Sequence, residues 1–312
     1  MPSQRPDPRP AKPRPNASLR SRNIISALAL PREHGAWAML LMPYLVGTAA
    51  AGWGGWPSLL LLVSILSVFC SSRSLELTWQ LSGALRQAEA AQKASPADPG
   101  HLQEIRQRRL QAIVRLAVYL GFGVVAGLVL LLLYGRWMLV PMAVVAASAL
   151  LSQLVLRRRK LDRTWPARLL VIAGLSMSGP AAYYAAFGLL GRHAAAVWLL
   201  SFFYSGASVF YVRLFYRPSI RQKPVSPTEG RTRAEVHLLA YLTLGTAVLS
   251  ALWLAGWVPA VGLLAMLPLV IKTAWAGFRR GYRPSLKRIG MAEMGHTALF
   301  ALLASIAVAT WR

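Results

Sequence analysis

Apolar residues occur in nine long runs along this chain, separated by basic, polar or glycine-containing segments. A run of about 17–25 apolar residues has the length that an α-helix needs to cross a bilayer. The pattern therefore predicts nine transmembrane helices, with approximate limits 35–53, 56–72, 113–134, 137–156, 166–190, 194–215, 236–255, 257–277 and 291–311. The predicted fold class is an all-α polytopic transmembrane bundle.

The predicted bundle is a single domain over residues 23–312. Residues 1–22 combine Pro with Arg and Lys and predict a disordered basic arm. No apolar core or cleavage site follows the arm, so it is not expected to be a signal peptide. The arm either adheres to anionic lipid head groups or serves only to set the topology.

Composition excludes an ordinary soluble protein, because charged residues make up only 14 % of the chain and hydrophobic residues 55 %. Soluble domains carry about a quarter charged residues. The net charge of +25 is also typical of nucleic-acid binders. Here the basic residues occupy the gaps between apolar runs, as the positive-inside rule expects. We therefore expect membrane lipids as partners and no nucleic acid.

The basic residues also orient the chain. With the amino terminus in the cytoplasm, all Lys and Arg residues except Arg136, Arg192 and Arg312 fall on the cytoplasmic side. An odd number of spans then leaves the carboxyl terminus outside. The sequence predicts a bacterial inner-membrane protein in this orientation.

Two long cytoplasmic loops are expected after spans 2 and 6. The first covers about 73–111 and is interrupted near Pro96, with helix-compatible sequence on both sides. The second covers about 216–235 and contains several prolines. Pro180 within span 5 removes a backbone hydrogen bond and predicts a kink. Cys70 is the only cysteine, so no intrachain disulfide is possible.

Acidic and histidine side chains gather at the cytoplasmic ends of the predicted spans. Glu33, Glu76, Glu235 and Glu293 stand at the ends of spans 1, 2, 7 and 9, so they share one membrane depth. An ionisable group costs roughly 2.5–3.5 kcal/mol at a helix centre and usually faces a cavity or a partner. The pattern predicts a polar pocket on the cytoplasmic side, although contact between these groups is not readable from spacing.

Basic residues at the same depth suit an anion. Arg213 and Arg217 are four residues apart and lie on one helical face. Their forked donors fit phosphate or carboxylate, and snorkelling towards the interface is the alternative reading. Lys272 is less easily explained by snorkelling, because the apolar helix continues beyond it.

The candidate ligand-binding residues combine both groups. They are Arg32, Glu33, His34, Arg73, Glu76, Arg213, Arg217, His237, Lys272, Glu293 and His296. Glu293 and His296 have the i,i+3 spacing of helical metal ligands. No Asp or Cys supports them, so neither a metal nor another cofactor is predicted.

Three segments resemble a known family. PREHGAWAMLLMPYLVG at 31–47, FYVRL at 210–214 and KRIGMAEMGHTALF at 287–300 are similar to the YwiC-like integral membrane proteins of bacteria. HGAWAM is the most specific block, and the resemblance extends over residues 30–312. It implies a membrane topology and assigns no chemistry or catalytic residue.

The architecture is more distantly similar to UbiA-type prenyltransferases. Those enzymes also have nine spans, a cytoplasmic amino terminus and long loops after spans 2 and 6. Their Asp-rich motifs hold magnesium on a prenyl diphosphate, whereas the corresponding positions here read SSRSLE at 71–76 and RLFYR at 213–217. Magnesium prefers carboxylates and phosphate oxygens, so the magnesium-dependent mechanism does not carry over.

Three functions remain open at this point. The first is binding of an anionic amphipathic lipid or quinone-like ligand in the cytoplasmic-side pocket. The second is a divergent lipid-diphosphate transferase, with arginines on the phosphates and Glu33 or Glu293 as base. The third is a small-solute or proton-coupled transporter, for which a broken helix near Pro180 is the supporting feature. The oligomeric state is also open.

Overall fold

A computed structural model describes residues 34–94, 99–159, 164–215, 227–278 and 286–311, and these residues fold as α-helices. In chain order they are α1 His34–Ala50, α2 Gly55–Ala94, α3 Pro99–Leu132, α4 Leu139–Arg158, α5 Trp165–Ser176, α6 Ser178–Phe187, α7 Arg192–Phe215, α8 Pro227–Leu254, α9 Ala260–Leu264, α10 Leu267–Phe278 and α11 Leu286–Ala309. The predicted basic arm at 1–22 lies outside the described residues.

Helix occupies every predicted span within the described part of the chain. Six segments are long and apolar enough to cross a membrane: Gly55–Gln92, Gly100–Leu132, Trp165–Phe187, Arg192–Val212, Glu235–Leu254 and Arg288–Ala309. Three shorter apolar segments accompany them: Ala36–Ala50, Leu139–Gln153 and Ala260–Ala276. The protein is therefore an all-α, multi-pass membrane bundle, as predicted, while the count of nine crossings stays a prediction.

The first predicted loop is largely helical. Helix α2 has 40 residues in all, about 60 Å at 1.5 Å per residue, and extends into this segment as far as Ala94, while α3 begins at Pro99. Leu, Ala, Gln and Arg favour helix in this segment, and Arg106 bridges to Glu89 across the two helices at 3.0 Å. Since the hydrocarbon core is about 30 Å thick, the hairpin of α2 and α3 extends well beyond it.

The core lies among α1, α7, α8, α9, α10 and α11. Its buried side chains include Val46, Leu200, Tyr204, Phe300 and Ala304. By contrast, the apolar windows of α3 and α8 are each only 17 % buried within the protein. Exposed apolar helix faces of this kind suit contact with lipid.

Two of the predicted spans are broken into pairs of helices. The first break, at Met177, lies three residues before Pro180, which has no N–H for the helical ladder. The second break, at Ala265 and Met266, separates α9 from α10 just before Pro268. Only the first was predicted; Pro268 is the signal that would have indicated the second.

Two side-chain hydrogen bonds to backbone carbonyl groups lie around the first break, one to α5 and one to α1. The Trp198 Nε1–H donates to the carbonyl oxygen of Ala173 at 3.2 Å. The Ser178 hydroxyl donates to the carbonyl oxygen of Leu40 in α1 at 2.6 Å. These bonds hold the irregular backbone inside the bundle, where water cannot replace them.

The turns predicted to share one side of the membrane do meet at one end of the bundle. Arg136 Nε donates to the carbonyl oxygen of Ala185 at 3.0 Å, and Gly54 packs against Ala186. His193 Nε2 lies 2.9 Å from the carbonyl oxygen of Trp311. Arg136 thus binds near the carboxyl end of α6, where a cation is favourable.

We predict that Gly47→Ala destabilises the bundle by about 1–3 kcal/mol, because overpacking a close contact forces backbone shifts. A Cβ at Gly47 would lie 2.0 Å from the carbonyl oxygen of Gly179. Thermal unfolding in detergent micelles measures the effect. Gly83→Ala in α2 is the matched control, since no described atom lies within 4 Å of its Cβ position. Equal unfolding temperatures for the two variants would contradict this close helix contact.

Candidate functional site

A buried ion pair joins α10 to α11. The Lys272 ammonium lies 3.0 Å from Glu293 Oε1 and 2.8 Å from Oε2. It also donates to the Ser208 hydroxyl of α7 at 2.8 Å, and that hydroxyl donates to Glu293 Oε2 at 2.6 Å. The three residues therefore form a closed hydrogen-bonded cluster across three helices, here called the Lys272 cluster.

Two tyrosines of α7 complete the surroundings of the ammonium. Lys272 Nζ lies 5.2 Å from the ring centroid of Tyr204 and 4.9 Å from that of Tyr211. Aromatic faces attract cations at this range, more strongly where water is excluded. Tyr204 in turn stacks on Phe300 of α11 at 4.0 Å, so the ring is fixed by packing.

The inner face of α7 is polar by sequence. Five buried residues with hydroxyl groups recur along it at spacings of three, one, three and three residues. They are Ser201, Tyr204, Ser205, Ser208 and Tyr211. This spacing places them on one helical face. Helix α7 therefore turns a stripe of hydroxyl groups towards the bundle interior, and the Lys272 cluster forms at its carboxyl-terminal half.

The members of the cluster share one depth. Ser208 and Lys272 lie seven and six residues before the ends of their helices, and Glu293 lies seven residues after the start of α11. At 1.5 Å per residue each is roughly 10 Å from a helix end. These helix ends carry the basic segments of the sequence, which is the side where the polar pocket was predicted.

The two charged groups are not equally buried. The Lys272 side chain is 2 % exposed and the Glu293 side chain 13 %. One turn before Glu293 on the same helix is Gly290, whose Cβ position has no described atom within 4 Å. The carboxylate is therefore the more accessible member of the pair.

Other candidate residues have separate partners. Arg73 pairs with Glu76 on α2 at 3.0 Å. His237 on α8 is exposed, and its ring centroid lies 5.2 Å from that of Trp165. His296 Nδ1 binds the carbonyl oxygen of Ala292 on its own helix at 2.6 Å. The structure thus brings together Lys272 and Glu293 from the candidate list.

Several candidate ligand-binding residues lie outside the described residues, or have side chains that are not among those described. Arg32, Glu33 and Arg217 lie outside the described residues. His34 begins α1 and Arg213 lies near the end of α7, but their side chains are not among those described. The shared polar pocket that was predicted from Glu33, His34 and the groups of α11 therefore stays a prediction.

Sequence reasoning missed Ser208, Tyr204 and Tyr211. Their spacing of three to four residues was available as a signal, since it marks one helical face. It did not stand out because Ser and Tyr are tolerated in transmembrane helices and carry no charge. Only the fold shows that this face meets Lys272.

Metal ligation finds no support among the described residues, which contain no group of three or more His, Cys, Asp or Glu placed to hold an ion. The Glu293 carboxylate instead accepts hydrogen bonds from an ammonium and a hydroxyl. Both carboxylate oxygens therefore already accept hydrogen bonds from side chains of the protein.

We predict that Lys272→Met destabilises the protein by about 3–5 kcal/mol, because it leaves a largely buried carboxylate without its cation. The double variant Lys272→Met/Glu293→Gln should recover most of this loss. Thermal unfolding in detergent micelles measures both. Arg73→Met, which opens the more exposed pair with Glu76, should cost less than about 1 kcal/mol. A double variant no more stable than Lys272→Met alone would show that the charges are not coupled.

The sequence comparisons concern the amino-terminal part of the chain. A family model described as YwiC-like protein matches residues 30–183. The match includes the segment 31–47 and ends before the similar runs at 210–214 and 287–300. The chain matches no curated protein and no solved structure, so the likeness to UbiA-type prenyltransferases stays a prediction. Over residues 30–183 the chain is therefore similar to the YwiC-like protein family.

Proposed function

We propose that this membrane protein binds an amphipathic ligand with an anionic head group, or a quinone-like ligand, at the Lys272 cluster. The observation that carries the proposal is the ammonium of Lys272, buried in an otherwise apolar helix and held by Glu293 and Ser208. Ionisable groups within membrane helices are costly and usually mark functional sites.

The stability of the folded protein does not by itself explain why Lys272 and Glu293 form a buried ion pair. Removing two charges from water costs several kcal/mol for each ion, and an apolar replacement of both is often neutral or stabilising. The neighbouring core offers such a replacement, since it consists of Val, Leu, Ala and Phe. A ligand-binding role accounts for a charge pair that the net stability of the bundle does not explain.

The chemistry of the cluster suits an oxygen-rich head group. An ammonium has three donors, and those of Lys272 point to two carboxylate oxygens and one hydroxyl. A phosphate, carboxylate or quinone oxygen can take the same positions. The apolar tail would lie against the lipid-facing helices. Arg32, Arg73, Arg213 and Arg217 are proposed to attract the head group at the same end of the bundle.

The proposed orientation places the amino terminus in the cytoplasm and the carboxyl terminus outside a cell membrane. The basic segments then face the cytoplasm, in line with the positive-inside rule. The contacts of Arg136 with Ala185 and of His193 with Trp311 are consistent with this threading, because they join the opposite turns and the carboxyl terminus.

Transport of the ligand is a second candidate function. Both helix breaks, at Met177 and at Met266, lie within apolar segments, and broken helices are typical of transporter binding sites.

The orientation predicts the labelling of engineered cysteines in a Cys70→Ala background. Gly191→Cys lies in an exposed turn at the outer end, and Gly83→Cys lies on the exposed face of the α2–α3 hairpin. We expect a membrane-impermeant maleimide to label Gly191→Cys on intact cells and Gly83→Cys only after lysis. The reverse pattern would overturn the proposed orientation.

Ligand binding predicts that lipid-like molecules copurify with the protein. Native mass spectrometry and lipid extraction should find a stoichiometric anionic lipid or quinone on the wild type. Lys272→Gln should reduce the amount of bound ligand per protein at least about tenfold. This follows because the variant loses one charged contact, and about 1.4 kcal/mol corresponds to a tenfold change in affinity. Glu89→Gln on the hairpin is the control and should retain it. A wild-type protein without such a molecule would overturn the proposal.

A further inference from the structure

We infer that the anionic head group binds together with one proton, which is held on Glu293. This inference rests on the proposed ligand site and specifies the chemistry of binding there. The protein would then take up a neutral combination of an anion and a proton. Neither the family match nor the sequence pattern assigns this coupling.

The argument begins with the charge of the empty site. Lys272 and Glu293 together carry no net charge, and the ammonium hydrogen-bonds to both carboxylate oxygens. An anion that approaches the ammonium adds a second negative charge beside the carboxylate. In a low-dielectric interior two neighbouring carboxylate-like charges cannot both remain ionised cheaply, and one of them takes a proton.

Glu293 is the group placed to accept that proton. Its side chain is 13 % exposed, against 2 % for Lys272, so the carboxylate is the more accessible of the two groups. The hydroxyl of Ser208 already donates to Glu293 Oε2 and accepts from Lys272. A hydroxyl can reverse its roles by rotation, so Ser208 can accept from the protonated carboxyl and donate to the ligand.

Few other titratable groups face this pair. On α7 they are Tyr204 and Tyr211, whose rings contact the ammonium. On α11 His296 binds the carbonyl oxygen of Ala292. Among the described side chains of α1 the titratable group is Tyr44, which donates to the carbonyl oxygen of Ser58. The described side chains of α9 and α10 add none besides Lys272.

The proposed step moves one proton from water to Glu293. The carboxylate becomes a neutral carboxyl group, the Lys272 ammonium keeps its three protons, and the anion replaces the carboxylate as its counter-ion. No covalent bond other than O–H forms or breaks. Net charge within the site is zero before and after binding.

Calorimetry tests the coupling. Decyl sulfonate is a suitable probe because its head group stays ionised and cannot itself take up a proton. The full-length protein in detergent micelles is titrated at one pH in Bis-Tris and in Tris buffer, which differ in ionisation enthalpy and contain no anion that would compete for the site. We expect the difference in binding enthalpy to correspond to uptake of about one proton, and the Kd to rise about tenfold per pH unit over the range in which one proton is taken up with each sulfonate.

A variant isolates the group responsible. Glu293→Gln mimics the protonated acid and should bind the sulfonate without proton uptake and without pH dependence. Glu89→Gln, which alters the exposed pair with Arg106 on the α2–α3 hairpin, is the matched control and should keep the wild-type proton uptake. If Glu293→Gln does not fold, the infrared difference spectrum of the wild type should gain the carbonyl band of a protonated carboxylic acid on binding.

The outcomes separate the two proposals. Sulfonate binding without proton uptake would overturn the coupling and leave the ligand site in place. Proton uptake retained in folded Glu293→Gln would also overturn the assignment to Glu293. Failure of the wild type to bind the sulfonate would instead overturn the proposed function, and the coupling with it.

Discussion

The arrangement of α7, α10 and α11 depends on the burial of one charge. The ammonium of Lys272 has no water to bind within the bundle, so its partners must come from neighbouring helices. Ser208 and Glu293 supply them at hydrogen-bonding distance. A shift of α11 by one turn would move the carboxylate about 5.4 Å along the helix axis and leave two unpaired charges. The pair therefore fixes the register of three helices that apolar packing alone would hold less specifically.

The spans were predictable because the bilayer imposes a local rule. A helix must be long enough to cross and apolar along its length, and both properties can be read from consecutive residues. The same rule gives no information beyond the membrane, so the segment after Arg73 was predicted as a loop with helix-compatible sequence on both sides of Pro96, and the structure shows that α2 continues unbroken as far as Ala94. The break at Met266 was overlooked for a different reason: Pro268 lies within the predicted span 257–277, and proline is tolerated inside membrane helices, as Pro43 is within α1.

The candidate site was predictable only in part. Charge and depth marked Lys272 and Glu293, because ionisable groups are conspicuous in apolar helices. Their pairing depends on which helices are neighbours, and spacing along the chain does not contain that information. Ser208 and Tyr204 were missed since uncharged polar residues carry little penalty at a helix–helix contact. The wider set of arginines and histidines does not share one partner: Arg73 pairs with Glu76, and His296 binds its own helix.

The length of α2 has a mechanical consequence. About half of its roughly 60 Å lies beyond residue 72, where the predicted span ends, and α3 packs along it over this distance. If α2 tilts as a rigid helix about the point where it leaves the membrane, its two halves have similar lengths. A displacement of the end near Ala94 then moves the end near Gly55 by a similar distance in the opposite direction. A partner or lipid surface that tilts the hairpin would therefore move the intramembrane part of α2 by a comparable distance, against α6, on which that part packs.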